Sequence, residues 1–483
     1  MVVIAGKSDK RHALIEEVST ALTAPEAFGL LAERPFSFFL DSGMDHDNLG
    51  RYSFIGSDPF LVLTSRGSQI TLHYRDKRER VVGNPFDVLG QVLDRYAIDP
   101  SPSPVPFVGG AVGYLSYDLC HFIEGLPSTA VDDLQLPECY LAFYDAVIGF
   151  DHKEGRAYVA STGFPETDES RRMQKANARL GEMKELLAQA PRTTSESTAG
   201  STPLAAMRGG FTHEEYVEAV ARVREYIAAG DIFQVNLSQR FEVELPIPPY
   251  ELYRRLRGIN PAPFAAYLDF DGVAIVSASP ERFLRLQGDM VDTRPMKGTR
   301  PRGSNAAEDD ALAVELLDSV KDRAENVMIV DLERNDLGRV CRYGTVKVRE
   351  LWTLEKYATV FQLTSTVEGR LRQDKGRIDL LKGAFPGGSI TGAPKVRAME
   401  IIDELEPTRR SVYTGSIGYL GFDGGMDSSI VIRTFIVKDG RAYFQVGGGI
   451  VWDSDPEGEY QETLDKARAL IEALSLQPVT DAR

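Results

Sequence analysis

The chain has 483 residues, 43% hydrophobic and 26% charged, with 43 glycines and 26 prolines, which excludes disordered, collagen-like and low-complexity classes. At roughly 100–200 residues per domain, this length holds two to four units, or one large core with an accessory layer. A formal net charge of −16 excludes a general electrostatic footprint for nucleic acid or an anionic membrane. No apolar run approaches the ~18 residues of a membrane span, and the start, Met1 to His12, lacks the apolar stretch and cleavage site of a signal peptide. A cytosolic, cytoplasmic protein is expected. Cys120, Cys139 and Cys341 form no CxxC pair and read as buried small hydrophobes.

In chain order, β-rich runs at Tyr52–Ile55, Phe60–Thr64, Gln69–Tyr74, Leu141–Phe150 and Ala157–Thr162 precede an amphipathic helix near Arg171–Ala188. The Ser/Thr/Pro-rich stretch 190–205 reads as a linker between an N-terminal α+β segment (1–189) and a second domain (206–476), with a tail at 477–483. Thr212-His213-Glu214-Glu215 has capping-box spacing and opens a helix that stops at Gly230. A strand over Ile232–Leu245 puts Phe233, Val235 and Leu237 on one face and Gln234, Asn236 and Ser238 on the other, a polar row that is either a pocket wall or a solvated face. One long helix is expected over about Ala306–Leu337, and another from Pro394 to about Leu405. Strands at Val412–Gly421, Ser428–Val437 and Ala442–Val451 follow, the last two joined by a Lys438–Arg441 turn. A final helix spans about Pro456–Leu474. Antiparallel hairpins mixed with helices point to α+β layers and away from a doubly wound parallel sheet.

Three groups of residues have the chemistry of a site. Asp322 with Glu325, and Glu459 with Glu462, have i,i+3 spacing, so each pair shares one helix face. If the two faces meet they can hold a hard cation through oxygen; with no histidine after His213, Mg2+ suits them better than zinc. Apart, they are solvated helix faces. Arg294, Lys297, Arg300 and Arg302 place four cations within nine residues of a Pro/Gly-shaped loop. A lysine there becomes a nucleophile only when neutral, and neighbouring guanidinium groups with partial burial push its pKa down. Without such context the loop is a basic surface turn. Pro386 to Lys395 is glycine-rich but fails the phosphate-loop pattern, since Ala393 stands where Lys is needed after Gly392. This disfavours a nucleotide-dependent phosphotransferase. What remains is a run of backbone N–H groups before a helix, suited to a carboxylate. Gly447-Gly448-Gly449 permits close approach of backbone to a ligand, and either glycine run is also compatible with a structural turn.

Taken in order, these stretches resemble the chorismate-utilising enzymes over nearly the whole chain. The resemblance is carried by Phe39-Leu40-Asp41-Ser42, Gly50 to Gly56, Gly109 to Tyr114, Asp231 to Ser238, Ser279-Pro280-Glu281-Arg282-Phe283, the Lys297 loop, Asp331 to Leu337, the Gly387 loop, Tyr413-Thr414-Gly415 and Glu459–Lys466. It implies a large α/β sandwich of antiparallel sheets with flanking helices, in which the N-terminal segment packs on the catalytic core. Pro295-Met296-Lys297-Gly298-Thr299 carries lysine where the anthranilate-forming members carry alanine, so the resemblance implies the branch that makes 4-amino-4-deoxychorismate for p-aminobenzoate and folate. Gln362 stands where anthranilate-forming members have a histidine that assists pyruvate elimination, and Gln234 stands where isochorismate-forming relatives have a water-activating lysine. The alternatives are anthranilate synthesis with release of pyruvate, against which Lys297 argues, and a non-catalytic chorismate-binding or scaffold subunit, which leaves Glu281, Lys297 and the carboxylates without purpose.

Carried over residue by residue, the resemblance implies Lys297 as covalent nucleophile and Glu281 as general acid. Mg2+ is expected on Glu325 and Glu462, supported by Asp322 and Glu459. Arg433, Tyr413, Ser389, Lys466 and the Gly447, Gly448 and Gly449 amides are expected to orient chorismate, beside Gln234 and Gln362. No glutaminase segment is visible in the sequence, so ammonia is expected from a partner glutamine amidotransferase subunit. Leu40-Asp41-Ser42 matches a segment that reads Leu-Leu-Glu-Ser in the tryptophan pocket of relatives, with Asp41 in place of the glutamate.

Overall fold

The computed structural model describes residues 11–45, 49–190, 207–357 and 360–474. Among these, two twelve-stranded antiparallel sheets dominate. One runs from Leu14–Val18 through Tyr52–Gly56, Phe38–Asp41, Phe264–Phe270, Val273–Ser279, Thr434–Lys438 and Arg441–Ile450 to Gln234–Glu244. The other runs from Met296–Pro301 through Val360–Arg370, Met290–Arg294, Arg282–Gln287, Met426–Ile430, Ser416–Gly421 and Gly110–Leu115 to Cys139–Tyr144 and Leu61–Arg66. Segments from both ends of the chain share both sheets: Phe38–Asp41 pairs with Phe264–Phe270, and Gly110–Leu115 with Ser416–Gly421. The stretch expected as a linker, beyond Ala190, and the 477–483 tail lie outside the described residues. No described helix is long and apolar enough to cross a membrane.

Side-chain alternation explains the layers. On Val273–Ser279, Ala274, Val276 and Ala278 pack with Phe28, Leu180, Leu252 and Leu470 of four helices, Ala24–Gly29, Glu169–Leu187, Pro249–Ile259 and Pro456–Leu474. Val273 and Ile275 point the other way, into a core shared with Val112, Leu284 and Ile417 of the second sheet. A strand buried on both faces reads as an unbroken apolar run rather than an alternating one. That expected sandwich of antiparallel sheets with flanking helices is the observed fold.

Several element boundaries differ from the sequence expectation. Leu141–Phe150 is two strands, Cys139–Tyr144 in the second sheet and Ala146–Asp151 in the first, broken only at Asp145. Ser428–Val437 is likewise divided into Met426–Ile430 and Thr434–Lys438, with Arg433 at φ +51 in the crossing. Apolar runs continue through both crossings because each side enters a core, so composition gave no break. Val412–Gly415 is a turn, and its strand begins at Ser416. The long helix is two, Ala306–Asp318 and Val320–Gly338; extended Ser319 ends one and caps the other by accepting the Asp322 N–H at 3.2 Å. Phe233 lies outside its strand and is 72% exposed, whereas Val235 and Leu237 are fully buried. The Thr212 capping box and the left-handed Gly230 cap bound a helix over His213–Ala229, and the last helices are Lys395–Leu405 and Pro456–Leu474. All three cysteines are free and buried.

Leu268 is fully buried between the sheets. Leu268→Ala is expected to destabilise the fold by about 2–5 kcal/mol, seen as a lower denaturant midpoint. A loss well under about 1 kcal/mol would show that this layer is not close-packed.

Candidate active site

Lys297 sits on Met296–Pro301, the edge strand beside Val360–Arg370. The pairing slips between Lys297 and Thr299, where Gly298 takes φ +82, a bulge that re-aims the lysine. A Cβ at Gly298 would come within 2.9 Å of the Asp322 Cβ and 3.0 Å of Leu316, so this turn also lets two helices close on the strand. Burial pushes the Lys297 ammonium below its ordinary range, opposed first by Glu325; nearby Lys466 pushes it down further. The guanidinium groups expected to do this are committed elsewhere. Arg294 pairs with Glu350 and Glu355, Arg300 with Glu315 and Asp322, and Arg302 with Asp309.

Glu281 follows the strand Val273–Ser279 and is 4% exposed. The Ser389 hydroxyl donates to its Oε1 at 2.5 Å, and the Met296 N–H donates to the same carboxyl. Burial outweighs these hydrogen bonds and the charges of Lys297 and Arg433, and its pKa is pushed up to about 7. An acid and an amine are thus displaced toward each other, the arrangement that lets one carry a proton and the other a lone pair near neutral pH.

The facing wall is backbone. Gly447, Gly448 and Gly449 pair with Ser238, Leu237 and Asn236 of Gln234–Glu244. A Cβ at Gly449 would collide with the Gln234 amide nitrogen and lie 3.2 Å from Lys297 Nζ. One at Gly448 would lie 3.0 Å from Glu459 Oε2 and 3.4 Å from Glu462 Oε1. The glycines keep this space open. The polar row Gln234, Asn236 and Ser238 is buried, which makes it a wall and excludes a solvated face. Among the described residues Gln234 Oε1 and Asn236 Oδ1 have no hydrogen-bond partner, and neither does Gln362 Oε1, whose amide nitrogen reaches Thr299 Oγ1 at 3.5 Å. Unmatched buried acceptors call for a donor from outside the chain.

Arg433, in the crossing between the sheets, feels Glu281 and Tyr357 but makes no ion pair among the described residues. Tyr413 is buried with the Arg410 guanidinium 5.8 Å from its ring centre, and the next residue, Thr414, donates its N–H to the Val431 carbonyl at 2.7 Å. Lys466 Nζ donates to the Gly447 carbonyl at 2.8 Å and pairs with Glu462 at 2.7 Å.

The carboxylates are divided. Glu325 and Glu462 lie on separate helices, Val320–Gly338 and Pro456–Leu474, and both act electrostatically on Lys297. Burial raises the Glu325 and Glu459 pKa values, while Lys466 holds Glu462 down. Glu459 Oε1 accepts from Ser454 at 2.6 Å, and its Oε2 is buried without a partner. Asp322 departs from the expectation, because its carboxylate accepts from Arg300 at 3.1 Å. No group of three or more His, Cys, Asp or Glu side chains closes to metal-holding geometry among the described residues. As donors, Glu325, Glu459 and Glu462 suit a hard divalent cation, and the orphaned Glu459 oxygen is what would be satisfied by one.

Sequence reasoning missed the supports behind this site. Gly388 N–H, expected to face a ligand carboxylate, donates instead to buried Glu333 at 3.0 Å. Lys395 is held by Asp336 and the Ala384 and Pro386 carbonyls. Glu406 and Arg410 form a buried ion pair at 2.7 Å. Glu333 and Asp336 stand in the helical stretch Asp331 to Leu337, and nothing in the local pattern marks them as buried. Away from Lys297 and Glu281, a cavity of about 770 Å³ is lined by Leu40, Asp41 and Ser42 with Pro100–Pro106 and Phe264. Asp41 is fully engaged there by the Tyr253 hydroxyl and Arg257.

Residues 40–472 match the model of a family described as chorismate binding enzyme. The chain is 41% identical to anthranilate synthase component 1 of Acetivibrio thermocellus over 452 residues, covering 92% of each protein. It is also 41% identical to aminodeoxychorismate synthase component 1 of Bacillus subtilis over 432 residues, covering 88% of this chain and 90% of that one. The crystal structure of anthranilate synthase component I from Streptococcus pneumoniae superposes with a TM-score of 0.77 at 34% identity, covering 86% of this chain and 91% of that one. A match over nearly the whole length means that the chain belongs to the chorismate binding enzyme family.

Proposed function

We propose that the chain is an aminodeoxychorismate synthase component 1, which combines chorismate with ammonia to give 4-amino-4-deoxychorismate and water. The observation that carries this reading is the pairing of Lys297, its pKa lowered, with Glu281, its pKa pushed up to about 7, across one enclosed site. Arg433 without an ion pair and the amides of Gly447–Gly449 suit the substrate's carboxylates. Lys297 Nζ attacks C2 of the ring; both ring double bonds shift along the conjugated path, the C4–O bond breaks, and Glu281 gives its proton to the departing oxygen, which leaves as water. Ammonia then attacks C4, both double bonds shift back, and the C2–Nζ bond breaks. The incoming nitrogen's surplus proton restores the acid. Both displacements leave the enolpyruvyl ether intact.

A Mg2+ ion on Glu325 and Glu462, with Glu459 behind them, would neutralise a substrate carboxylate. Asp322, committed to Arg300, is left out of that set. Ammonia would come from a partner glutamine amidotransferase, a reading supported by the component 1 names of the relatives and by burial of all three cysteines, which leaves no thiol poised for glutamine hydrolysis.

The competing product is anthranilate with pyruvate, the reading that the relatives named anthranilate synthase favour. Loss of the enolpyruvyl group requires a ring proton to be removed, and Gln362 can only donate and accept hydrogen bonds. Purified enzyme with chorismate, Mg2+ and an ammonium salt is therefore expected to release no pyruvate in a lactate-dehydrogenase-coupled assay until a separate lyase is added. Stoichiometric pyruvate from the enzyme alone would reverse the assignment.

Lys297→Ala should cut product formation by roughly 100-fold or more with melting unchanged, the scale seen on loss of a positioned nucleophile. Enzyme quenched with chorismate and no ammonia should carry a covalent adduct on the Lys297 peptide, and full activity in the variant would refute the nucleophile. Excess chelator should abolish turnover, and Glu462→Gln should raise the Mg2+ concentration for half-maximal rate. Unchanged activity in chelator would remove the metal from the scheme.

A further inference from the structure

None of Arg410's hydrogen bonds goes to Lys297 or Glu281, yet they reach three segments that carry groups of the site. Its side chain is 1% exposed and pairs with Glu406, 2% exposed, through Nε to Oε2 at 2.9 Å and one terminal nitrogen to Oε1 at 2.7 Å. That nitrogen also donates to the Asn236 carbonyl at 2.6 Å, in the strand that presents Gln234. The other terminal nitrogen donates to the Ile390 carbonyl at 2.9 Å, in the turn that presents Ser389. It also reaches Thr414 Oγ1 at 3.4 Å, next to Tyr413, while the guanidinium plane lies between the rings of Tyr117 and Tyr413 at 5.0 and 5.8 Å. Glu406 uses its remaining capacity on the Ser238 N–H and hydroxyl at 2.9 and 2.7 Å. Every strong bonding direction of the fork is thus used on backbone or on its carboxylate, which a lysine could not reproduce.

We infer that Arg410, locked by Glu406, is a positioning residue that sets the Ser389 hydroxyl on Glu281. The inference rests on the role proposed above for Glu281, to which the Ser389 hydroxyl donates. The Ser389 hydrogen bond at 2.5 Å lowers the Glu281 pKa against the larger effect of burial. If the turn Gly388–Ile390 shifts, this bond lengthens, the Glu281 pKa rises, and the alkaline limb of the rate profile moves upward. The groups that bear on Glu281 are Ser389, Lys297, the Met296 N–H, Arg433 and buried Glu333; substitution at 410 replaces none of them and acts through the placement of Ser389. A displacement of about 1 Å suffices for a loss of up to roughly 100-fold in rate.

The test is a double-mutant cycle on the full-length enzyme. Arg410→Lys is expected to lower kcat about 10-fold or more with a smaller change in KM, and to move the alkaline limb of kcat/KM upward, as Ser389→Ala does. In the Ser389→Ala background, Arg410→Lys should cause little further loss. Should Arg410→Lys not fold, Glu406→Gln/Arg410→Gln removes both charges together, the change buried pairs tolerate best, and takes its place in the cycle. A folded variant with unchanged kcat, or losses that multiply in the double variant, would overturn the inference while leaving Ser389 and Glu281 in place. Wild-type kcat and pH profile in Ser389→Ala would instead show that the reading of Ser389 itself is wrong.

Discussion

The arrangement depends on one constraint: strands of the first sheet are buried on both faces, against helices on one side and the second sheet on the other. Such a sheet has no solvated face on which to place polar groups, so polar chemistry is confined to its ends and to places where the chain leaves one sheet for the other. Glu281 stands just past the end of Val273–Ser279, and Arg433 in the crossing from Met426–Ile430 to Thr434–Lys438. The pairing of Ile430 N–H with the Glu281 carbonyl at 3.0 Å ties these two departures together. Acid and cation are neighbours because two strands change direction at the same level of the sandwich.

Charge in the site is kept in balance by distributing it. Lys297 and Lys466 lie among Glu325, Glu459 and Glu462, so each ammonium offsets carboxylates whose burial would otherwise neutralise them. The arginines of the Lys297 loop are held by acids outside this group, which leaves the lysine's state to burial, opposed first by Glu325 and reinforced by Lys466. The protein thereby keeps this loop's guanidinium groups from acting on the amine while using them to fix the loop.

The α+β layers and most helices are legible from order and spacing, and the Thr212 capping box, the Gly447–Gly449 run and the Lys297 loop each have a local signature, while the sandwich and the roles within the site follow from the resemblance to chorismate-utilising enzymes. The crossings at Asp145 and Val431–Arg433 were not legible, because hydrophobic runs record burial and not which sheet provides it. The break at Ser319 lacked glycine or proline and showed itself only through the N-cap. Asp322 shared a helix face with Glu325 as spacing required, but the Arg300 guanidinium that captures it arrives from a strand, and no pattern within a helix reports that. Glu333, Glu406 and Arg410 were invisible for the same reason, since acids and bases on helices ordinarily read as solvent-facing.

The glycine run on Arg441–Ile450 has an implication for how such a site can be altered. A floor made of peptide groups presents the same donors and acceptors whatever small anion lies on it, so it holds a ligand without discriminating among near relatives of that ligand. Discrimination is left to side chains arriving from other strands, Gln234 opposite and Gln362 beyond the bulge, whose replacement disturbs no backbone pairing. On the proposed reading, holding and choosing are separate tasks on separate strands.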